Sequence, residues 1–447
     1  MGSTVDGLVS GMDTTSMIAS MMQIESQPKT MLQAKVKTAQ TSVSSYQSVN
    51  SKLSALKSAA DDLGQLSTWR SIKPTVSSAT ATSTAVTATA TGGTSTATGT
   101  VTFDVVSLAK AQADTARVSS TGDVTTADSI VVSVGSADPV TIDISADKSA
   151  AGIAGALNKA GIGVKASLNP ASAGNSDLQF KGTKTGAANN FTITGLDGVT
   201  LKPVSAASDA LLHVAGRSGD PADDYDLTST TNTFTDLMAG VSLTVAKVES
   251  GITLDSAPDV AGIAAKFKAL VDAANATLTE VSNQTAYDAA NKIRSPLTGD
   301  FMVRQLSQSI LSKISSGLSY PDGTGGVVKF GSLSQLGIQL DRTGQLSFDA
   351  GKFTAAYNAD PSAIQAAGIA LGDSLESLAG TQGDNVTRAI TSRTGQVDSL
   401  NGQIDDMDVR LSARKEALQR TYSTLESSLG KLKNQSTWLS GQIASLG

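Results

Sequence analysis

The side chains best suited to chemistry in this sequence are one histidine and a few aspartates. His213, the only histidine among 447 residues, lies in the apolar stretch ALLHVAG. A single histidine in an apolar strand is far more often a packed or surface residue than a general base or a metal ligand. The chain also lacks a Gly-x-Ser-x-Gly elbow, and DGTGGVVKF lacks the Lys-Ser/Thr ending of a phosphate loop. We therefore predict that the protein is not an enzyme and needs no cofactor.

The aspartates offer a weak case for metal binding. The stretch GDPADDYD supplies four of them: Asp220, Asp223, Asp224 and Asp226. Carboxylates can ligate calcium, but this spacing does not match an EF-hand loop, so a solvated turn-rich loop is favoured. DRTGQLSFD places Asp341 and Asp349 eight residues apart in a predicted hairpin, and Asp349 is expected to cap the next helix. No metal site is predicted, and a metal at 220–226 stays an open alternative.

Composition excludes several further classes of function. The chain has 34 basic and 40 acidic residues, a net charge of -6, and no cysteine. Disulfides, thiolate catalysis and cysteine-ligated metals are therefore excluded. The acidic balance and the lack of a basic run argue against nucleic acid as a partner. No apolar run approaches the roughly 18 residues of a membrane span, and the first residues lack the pattern of a cleaved signal peptide.

Apolar residues recur at steps of three and four at both ends of the chain, which predicts two long amphipathic helices. The first would run from Lys29 to Leu63, a length of about 50 Å. The second begins near Arg393 and continues almost to Gly447. We call these apolar rows, with the segment before Pro28, the assembly seam. Its residues are Met17, Met21, Ile24, Leu32, Val36, Val43, Tyr46, Leu53, Leu411, Leu418, Tyr422, Leu425, Leu429, Leu432, Leu439, Ile443 and Leu446.

The methionines indicate what the seam is for. Six of the nine lie within the first 31 residues. Methionine is flexible and packs against varied partners. Leaving one Leu-sized side chain in water forgoes about 1.5 to 3 kcal/mol. We therefore expect other helices or other molecules to cover these side chains.

The middle of the chain predicts strands. The Thr- and Ala-rich stretch TATSTAVTATATGGTSTATGT is either a disordered linker or, as we prefer, two strands flanking a turn at Gly92 and Gly93. SIVVSVG, VTIDIS, IGVKASL, DLQF, NFTITG and GVSLTVAKV alternate as strands do, and SAAGIAGALNKAG reads as a short helix.

A mixed region follows the strands. PDVAGIAAKFKALVDAANATLTEV, with Pro258 near its first turn, and FMVRQLSQSILSKI each predict an amphipathic helix. LGIQLDRTGQLSFD predicts a hairpin that turns at Arg342, Thr343 and Gly344.

These patterns together predict a multidomain α+β fold. Long terminal helices form a coiled-coil-like leg, and strand-rich head domains are inserted between them. The predicted segments are an N-terminal helical segment (1–73), a β-rich head domain (74–117 with 225–256), an inserted α+β head domain (118–224) and a C-terminal leg region (257–447).

Both ends carry recognisable motifs. GLVSGMDTTSMIASMMQIESQPKTMLQ resembles the N-terminal signature of the flagellar filament cap proteins, the FliD or flagellar hook-associated protein 2 family. SRTGQVDSLNGQIDDMDVRLSARKEALQRTYSTLESSLGKLKNQSTWLSGQIASL is similar to the C-terminus of that family. GTVTFDVVSLAKAQ, NTFTDLMAGVSLTV and SPLTGDFMVRQL resemble its inner segments, in the same order. The residues that match the N-terminal motif are Gly7, Leu8, Ser10, Gly11, Met12 and Asp13.

The resemblance implies a structural role outside the cell. It implies a homo-oligomeric cap at the distal tip of the flagellar filament, with a plate of head domains and helical legs that promote flagellin folding and polymerisation. The implied partners are further copies of the chain, flagellin, and the flagellar export chaperone and export apparatus, with host glycans as an additional candidate. Export would occur without a cleaved signal peptide.

Two other functions stay open at this point. Thr- and Ser-rich strand domains on a stalk are also typical of surface adhesins. Paired terminal helices also occur in other flagellar axial proteins, such as hook-filament junction proteins, although their ends carry motifs different from GLVSGMD.

Overall fold

The computed structural model describes residues 11, 13–78, 85–92, 96–216, 220–321 and 326–444. No helix within these ranges combines the length and the apolar character that crossing a bilayer requires. The chain divides into two compact units. We call Met1–Gly64 with Ala264–Gly447 the helical unit, and Gln65–Ile263 the sheet unit. The four-segment division expected from the sequence is finer than this and stays a prediction.

The helices of the described residues follow in chain order: α1 (Thr14–Glu25), α2 (Gln27–Gly64), α3 (Leu66–Trp69), α4 (Ala150–Ala160), α5 (Val260–Thr285), α6 (Phe301–Ser315), α7 (Ala350–Ala359) and α8 (Pro361–Ala444).

The strands follow likewise: β1 (Ile72–Ser77), β2 (Val86–Ala90), β3 (Gly99–Ser107), β4 (Ala113–Ser119), β5 (Ser129–Val134), β6 (Val140–Asp143), β7 (Val164–Pro170), β8 (Asn175–Gly182), β9 (Phe191–Thr194), β10 (Lys202–Ser205), β11 (Ala210–Val214), β12 (Tyr225–Ser229), β13 (Thr233–Phe234), β14 (Val241–Val245), β15 (Glu249–Pro258), β16 (Tyr287–Asp288), β17 (Ile293–Arg294), β18 (Leu318–Pro321), β19 (Val327–Phe330), β20 (Ile338–Leu340) and β21 (Leu346–Phe348).

The helical unit is built on the pairing of α2 with α8. Ion pairs from Lys29 to Asp408 and from Lys57 to Glu376 join opposite ends of the two helices, so the helices run antiparallel. One core cluster of this unit also takes in α5 and α6, and consists of Tyr46, Val49, Leu53, Val281, Leu297, Val303, Leu306 and Val386. A second, smaller cluster contains Val36, Ala39, Val397 and Leu400. The two predicted apolar rows therefore face one another at the first part of α2, where Val36 and Ala39 meet Val397 and Leu400.

The two helices approach each other closely at a glycine. A Cβ added to Gly372 on α8 would lie 2.6 Å from the backbone nitrogen of Gly64 and 2.7 Å from the carbonyl oxygen of Ala60. Only glycine fits this crossing, because the obstructing atoms belong to the backbone of α2 and cannot rotate away.

The start of α8 differs from the prediction. The helix begins at Pro361 and spans 84 residues, whereas the leucine rhythm indicated a start near Arg393. Its buried face combines large residues such as Leu371 and Leu375 with small ones such as Gly368 and Gly372, so the row of large apolar residues is interrupted in these turns. Closely packed helices need small side chains at their interface. Because these small residues interrupt the pattern of large apolar ones, the helical period is hard to recognise in the sequence.

The hairpin and the helix that follows it confirm the prediction for this region. β20 and β21 pair antiparallel on either side of the turn at 342–344. The Asp349 carboxylate accepts hydrogen bonds from the backbone N–H groups of Gly351 and Lys352 at 3.0 Å, so it caps α7. Phe353 of α7 then packs against Phe267 of α5, with ring centroids 4.8 Å apart.

The sheet unit contains two separate cores. The first lies between a five-stranded sheet, in the order β1-β15-β3-β11-β12, and a three-stranded sheet, β13-β14-β2. The second is formed by the sheets β10-β4-β8-β7 and β6-β5-β9 together with α4. Strand β11 falls inside the predicted insert 118–224, yet it pairs with β3 and β12 in the sheet of the first core.

Two local expectations in this unit are corrected. β2 and β3 flank Gly92 as predicted, but they do not pair with each other: β2 pairs with β14, and β3 lies between β11 and β15. Alternation in a strand specifies its faces, whereas its partners are set by distant segments. Pro258 ends strand β15, and the residue that caps α5 is Asp259, whose carboxylate accepts from the N–H of Gly262 at 2.9 Å.

Candidate assembly surface

The first described helix begins at an aspartate of the N-terminal motif. Asp13 precedes α1, and its Oδ1 atom accepts a hydrogen bond from the backbone N–H of Ser16 at 2.8 Å. This backbone hydrogen bond, together with that from the Ser16 side chain, holds the pKa of Asp13 below its ordinary value. Gly11 is the other described residue of the motif, while Gly7, Leu8, Ser10 and Met12 lie outside the described residues. Asp13 therefore fixes where α1 starts.

Helix α1 lies against the C-terminal half of α8. The Tyr422 hydroxyl donates to the Met17 sulfur at 3.1 Å, and Arg414 Nε lies 3.0 Å from Glu25 Oε1. Thr14 and Ile18, one turn apart, are buried. This contact fixes which side of α1 is covered.

The seam residues of α1 stay exposed in spite of that contact, including Met17, which touches Tyr422. Met17, Met21 and Ile24 are exposed although Ile18 beside them is buried. Successive residues of a helix differ by about 100° in direction, so these side chains form a second stripe beside the buried one. Met31, at the start of α2, is exposed as well. The cluster of methionines predicted this exposed surface, but the spacing of three and four residues did not include Met31 in the assembly seam.

The seam residues of α2, in contrast, are mostly buried within the same chain. Val36, Tyr46 and Leu53 are buried against other helices of the same unit, and Leu32 packs on the smaller cluster. Val43 is half-buried. These side chains join the helices of one chain and are unavailable to another molecule.

Tyr46 also makes a polar contact that the sequence did not reveal. Its hydroxyl donates to the Asp300 carboxylate, whose other oxygen caps α6 by accepting from Val303 N–H at 3.0 Å. Burial, reinforced by this hydrogen bond, raises the pKa of Tyr46 to about 12. Tyr46 and Asp300 are 254 positions apart, so spacing offered no signal for this pairing.

The seam of α8 changes from covered to exposed along its length. Leu411, Leu418, Tyr422 and Leu429 are half-buried. Every residue from 431 to 444 is exposed, and Leu432, Leu439 and Ile443 expose 60%, 54% and 64% of their surface. Trp438 and Leu425 are exposed too. Leu446 lies outside the described residues.

We group the exposed apolar side chains as the free apolar end. Its members are Met17, Met21, Ile24, Leu425, Leu432, Trp438, Leu439 and Ile443. Leu432 and Ile443 are 11 residues apart on one helix, which places them about 16 Å from each other. Covering such a row would stabilise a complex by about 1.5 to 3 kcal/mol for each fully buried side chain. A row of this kind can hold a partner helix.

The aspartates considered for calcium take other roles. Asp224 and Asp226 face His213, while Asp220 accepts from the N–H of Ala222 at 3.0 Å. Within the described ranges, no group of three or more histidine, cysteine or acidic side chains could hold a metal ion.

The architecture defines a class of structural protein: a paired-helix unit with apolar side chains in contact with water, joined to strand-rich cores. Two models of the flagellar hook-associated protein 2 family match the chain, the N-terminus model over residues 10–112 and the C-terminus model over residues 207–434. The chain belongs to the flagellar hook-associated protein 2 family.

Individual relatives agree with this assignment. Flagellar hook-associated protein 2 of Escherichia coli strain K12 is 26% identical over 96% of this chain and 97% of its own length. The lateral flagellar hook-associated protein 2 of Vibrio parahaemolyticus is 28% identical over 58% of this chain, and the match spans 57% of that relative. The crystal structure of the D1-D2-D3 domains of the Escherichia coli flagellar cap protein FliD covers 80% of this chain with a TM-score of 0.60 and 26% identity, and 99% of that structure is matched.

Proposed function

We propose that this protein forms the cap at the distal tip of the bacterial flagellar filament. The relative that the chain matches in structure is a flagellar cap protein. The observation in this chain that carries the proposal is the free apolar end: residues 431–444 remain exposed although they continue the row that packs α8 on α2. In this proposal, further copies of the chain and flagellin cover that row.

The mechanism follows from the size of the contact. Each chain offers a short row of apolar side chains on single helices rather than a broad face. Contacts of a few side chains are individually weak, so a chain can release one flagellin position and bind the next as a new subunit folds beneath the cap. Stable oligomeric interfaces bury far larger areas. The plate would be formed by the sheet unit and the legs by the helical unit.

The remaining parts of the proposal concern location and export. The chain would act outside the cell at the filament tip, after export through the flagellar apparatus with an export chaperone and without a cleaved signal peptide. The N-terminal motif residues and the free apolar end would carry recognition by the other axial proteins.

A pair of matched variants tests the proposal. Leu432→Asp with Leu439→Asp places two carboxylates in the free apolar end. Thr437→Asp with Ala444→Asp adds the same charges with the same seven-residue spacing, at exposed positions on a side of α8 that carries no member of the free apolar end. Both proteins are expected to fold, because all four positions are exposed.

The two variants are then compared in one assay. Each is added to flagellin in a polymerisation assay and used to restore swimming in a strain that lacks its own copy. We expect the leucine variant to lose both activities and the control to keep them. Equal activity of the two variants, with unfolding curves like that of the original protein, would contradict a role for this surface in capping.

A further inference from the structure

The only histidine of the chain lies in a cross-strand row of charged residues. His213 on β11 is paired with Asp104 on β3 and with Asp226 on β12. Directly opposite residues of adjacent antiparallel strands point to the same face of a sheet. Leu212 and Val214, on either side of His213, are buried in the core, so His213 and its partners lie on the outer face.

Both nitrogens of the imidazole ring face carboxylates. Nδ1 lies 2.8 Å from Asp226 Oδ1, and Nε2 lies 3.4 Å from Asp224 Oδ2. A neutral imidazole carries one N–H and one acceptor nitrogen, and an acceptor nitrogen would oppose a carboxylate oxygen. The imidazolium has two donors and suits both carboxylates. This geometry therefore fits the doubly protonated ring.

We propose that His213 is a pH-dependent clasp that, when doubly protonated, holds the edge strand β12 on the five-stranded sheet. β12 has one neighbour in this sheet, β11, so the contacts across that pair decide how firmly it is held. Asp226 lies on β12, and Asp224 directly precedes it. The protonated ring thus connects β11 to the strand and to the residue that leads into it.

Several carboxylates surround the ring, so the positive charge of the doubly protonated ring offsets their negative charges. Asp104 faces it from β3, and the Asp104 carboxylate also accepts from the N–H of Gly251 at 2.7 Å. Asp224 accepts from the N–H of Gly216 at 2.7 Å. On β15, beyond β3, Glu249 is paired with Val105 and accepts from the Ser78 hydroxyl. Without its proton, the ring would leave Asp104, Asp224 and Asp226 facing a neutral group and one another.

The direction of the pH effect follows from these contacts. The hydrogen bond to Asp226 raises the pKa of His213 above its ordinary value of 6.5, with the nearby Asp224 adding to the effect against the cost of desolvation. A histidine whose pKa is higher in the folded state stabilises that state fully below the unfolded pKa. This stabilisation is lost as the pH rises through the folded pKa. β12 should accordingly be held most firmly in mildly acidic solution and loosen in alkaline solution.

The presence of a single histidine makes the first test direct. In full-length protein labelled at the histidine Cε1, one imidazole resonance reports His213, and its shift is followed against pH. We expect a midpoint above 6.5 in the original protein and a lower midpoint in Asp226→Asn. A midpoint at or below 6.5 in the original protein, or an unchanged midpoint in Asp226→Asn, would overturn the proposal.

The second test asks whether the charge holds the strand. Amide hydrogen exchange of Tyr225–Ser229 is measured from pH 5.5 to 9 and corrected for the intrinsic exchange rate. Protection of β12 should fall a few-fold across the His213 midpoint in the original protein, and this step should vanish in His213→Gln. Asp255→Asn is the control, because Asp255 lies on β15 of the same sheet and contacts Thr100 rather than His213. An equal step in His213→Gln, or loss of the step in Asp255→Asn, would overturn the clasp.

Discussion

Two stretches of the same helix, α8, repeat apolar residues at similar spacing and end in opposite environments. Leu371, Leu375 and Val386 are almost completely buried among the helices of one unit. Leu432 and Leu439 lie in a stretch, 431–444, that is exposed throughout. The amphipathic pattern thus specifies which face of a helix is apolar, and it leaves open whether the same chain or another molecule covers that face. Substitutions in each stretch in turn can show which stretch stabilises the folded chain and which one binds other molecules.

The largest expected effect on stability comes from truncating a leucine side chain in the buried stretch. Leu375→Ala on α8 should lower the free energy of unfolding by about 2 to 5 kcal/mol, because Leu375 is almost completely buried and its truncation leaves a cavity. Leu439→Ala makes the same chemical change in the exposed stretch and should change stability by less than about 0.5 kcal/mol. Chemical denaturation followed by circular dichroism measures both. Similar losses in the two variants would mean that the free apolar end is covered within the monomer.

Two glycines of α8 allow a second comparison. Gly372→Ala should cost about 1 to 3 kcal/mol, since the new methyl group would press on the backbone of α2. Gly402→Ala has open space around its Cβ position and should gain about 0.5 to 1 kcal/mol from higher helix propensity. Thermal unfolding of the pair checks the signs. Stabilisation by both substitutions would refute the close crossing at Gly372.

A smaller effect is expected from removing one hydroxyl. Tyr46→Phe should cost about 1 to 2 kcal/mol, because the bond to Asp300 ties α2 to the start of α6. The Tyr46 pKa of about 12 exceeds the ordinary 10, so the advantage of the original protein should persist below pH 10 and disappear as the pH rises toward 12. The exposed Tyr287 supplies the control, Tyr287→Phe. An equal cost for both variants in urea unfolding at neutral pH would remove the special role of Tyr46.

Local patterns predicted most elements because their causes are local. Alternation placed Phe103 and Val105 on the buried side of β3, and Asp349 caps α7 as its type and position indicated. The helix from Ala150 to Ala160 is capped by Ser149 and ends at the left-handed Gly161, as short-range rules require. These features depend on residues within one or two turns of each other.

Features that depend on residues distant in the chain could not be predicted from the sequence. β2 takes its partner β14 from about 150 residues along the chain, and nothing in either strand encodes that choice. The split of the assembly seam into buried and exposed parts likewise depends on where α5 and α6 pack. For the candidate site, the type of surface was predictable from the methionines and leucines. Which residues stay exposed was not, because the same apolar row is buried at Val36 and Leu53 and exposed at Met21 and Leu432, and only packing against distant segments separates these cases.

In the assembled cap, other molecules should cover the apolar side chains at the end of α8. Hydrogen exchange of residues 431–444, measured first in the monomer and then in caps assembled on flagellin filaments, tests it most directly. We expect fast exchange in the monomer and a strong slowing on assembly, with the already buried stretch around Val386 unchanged. Exchange that is equally fast in both states, or already slow in the monomer, would contradict it.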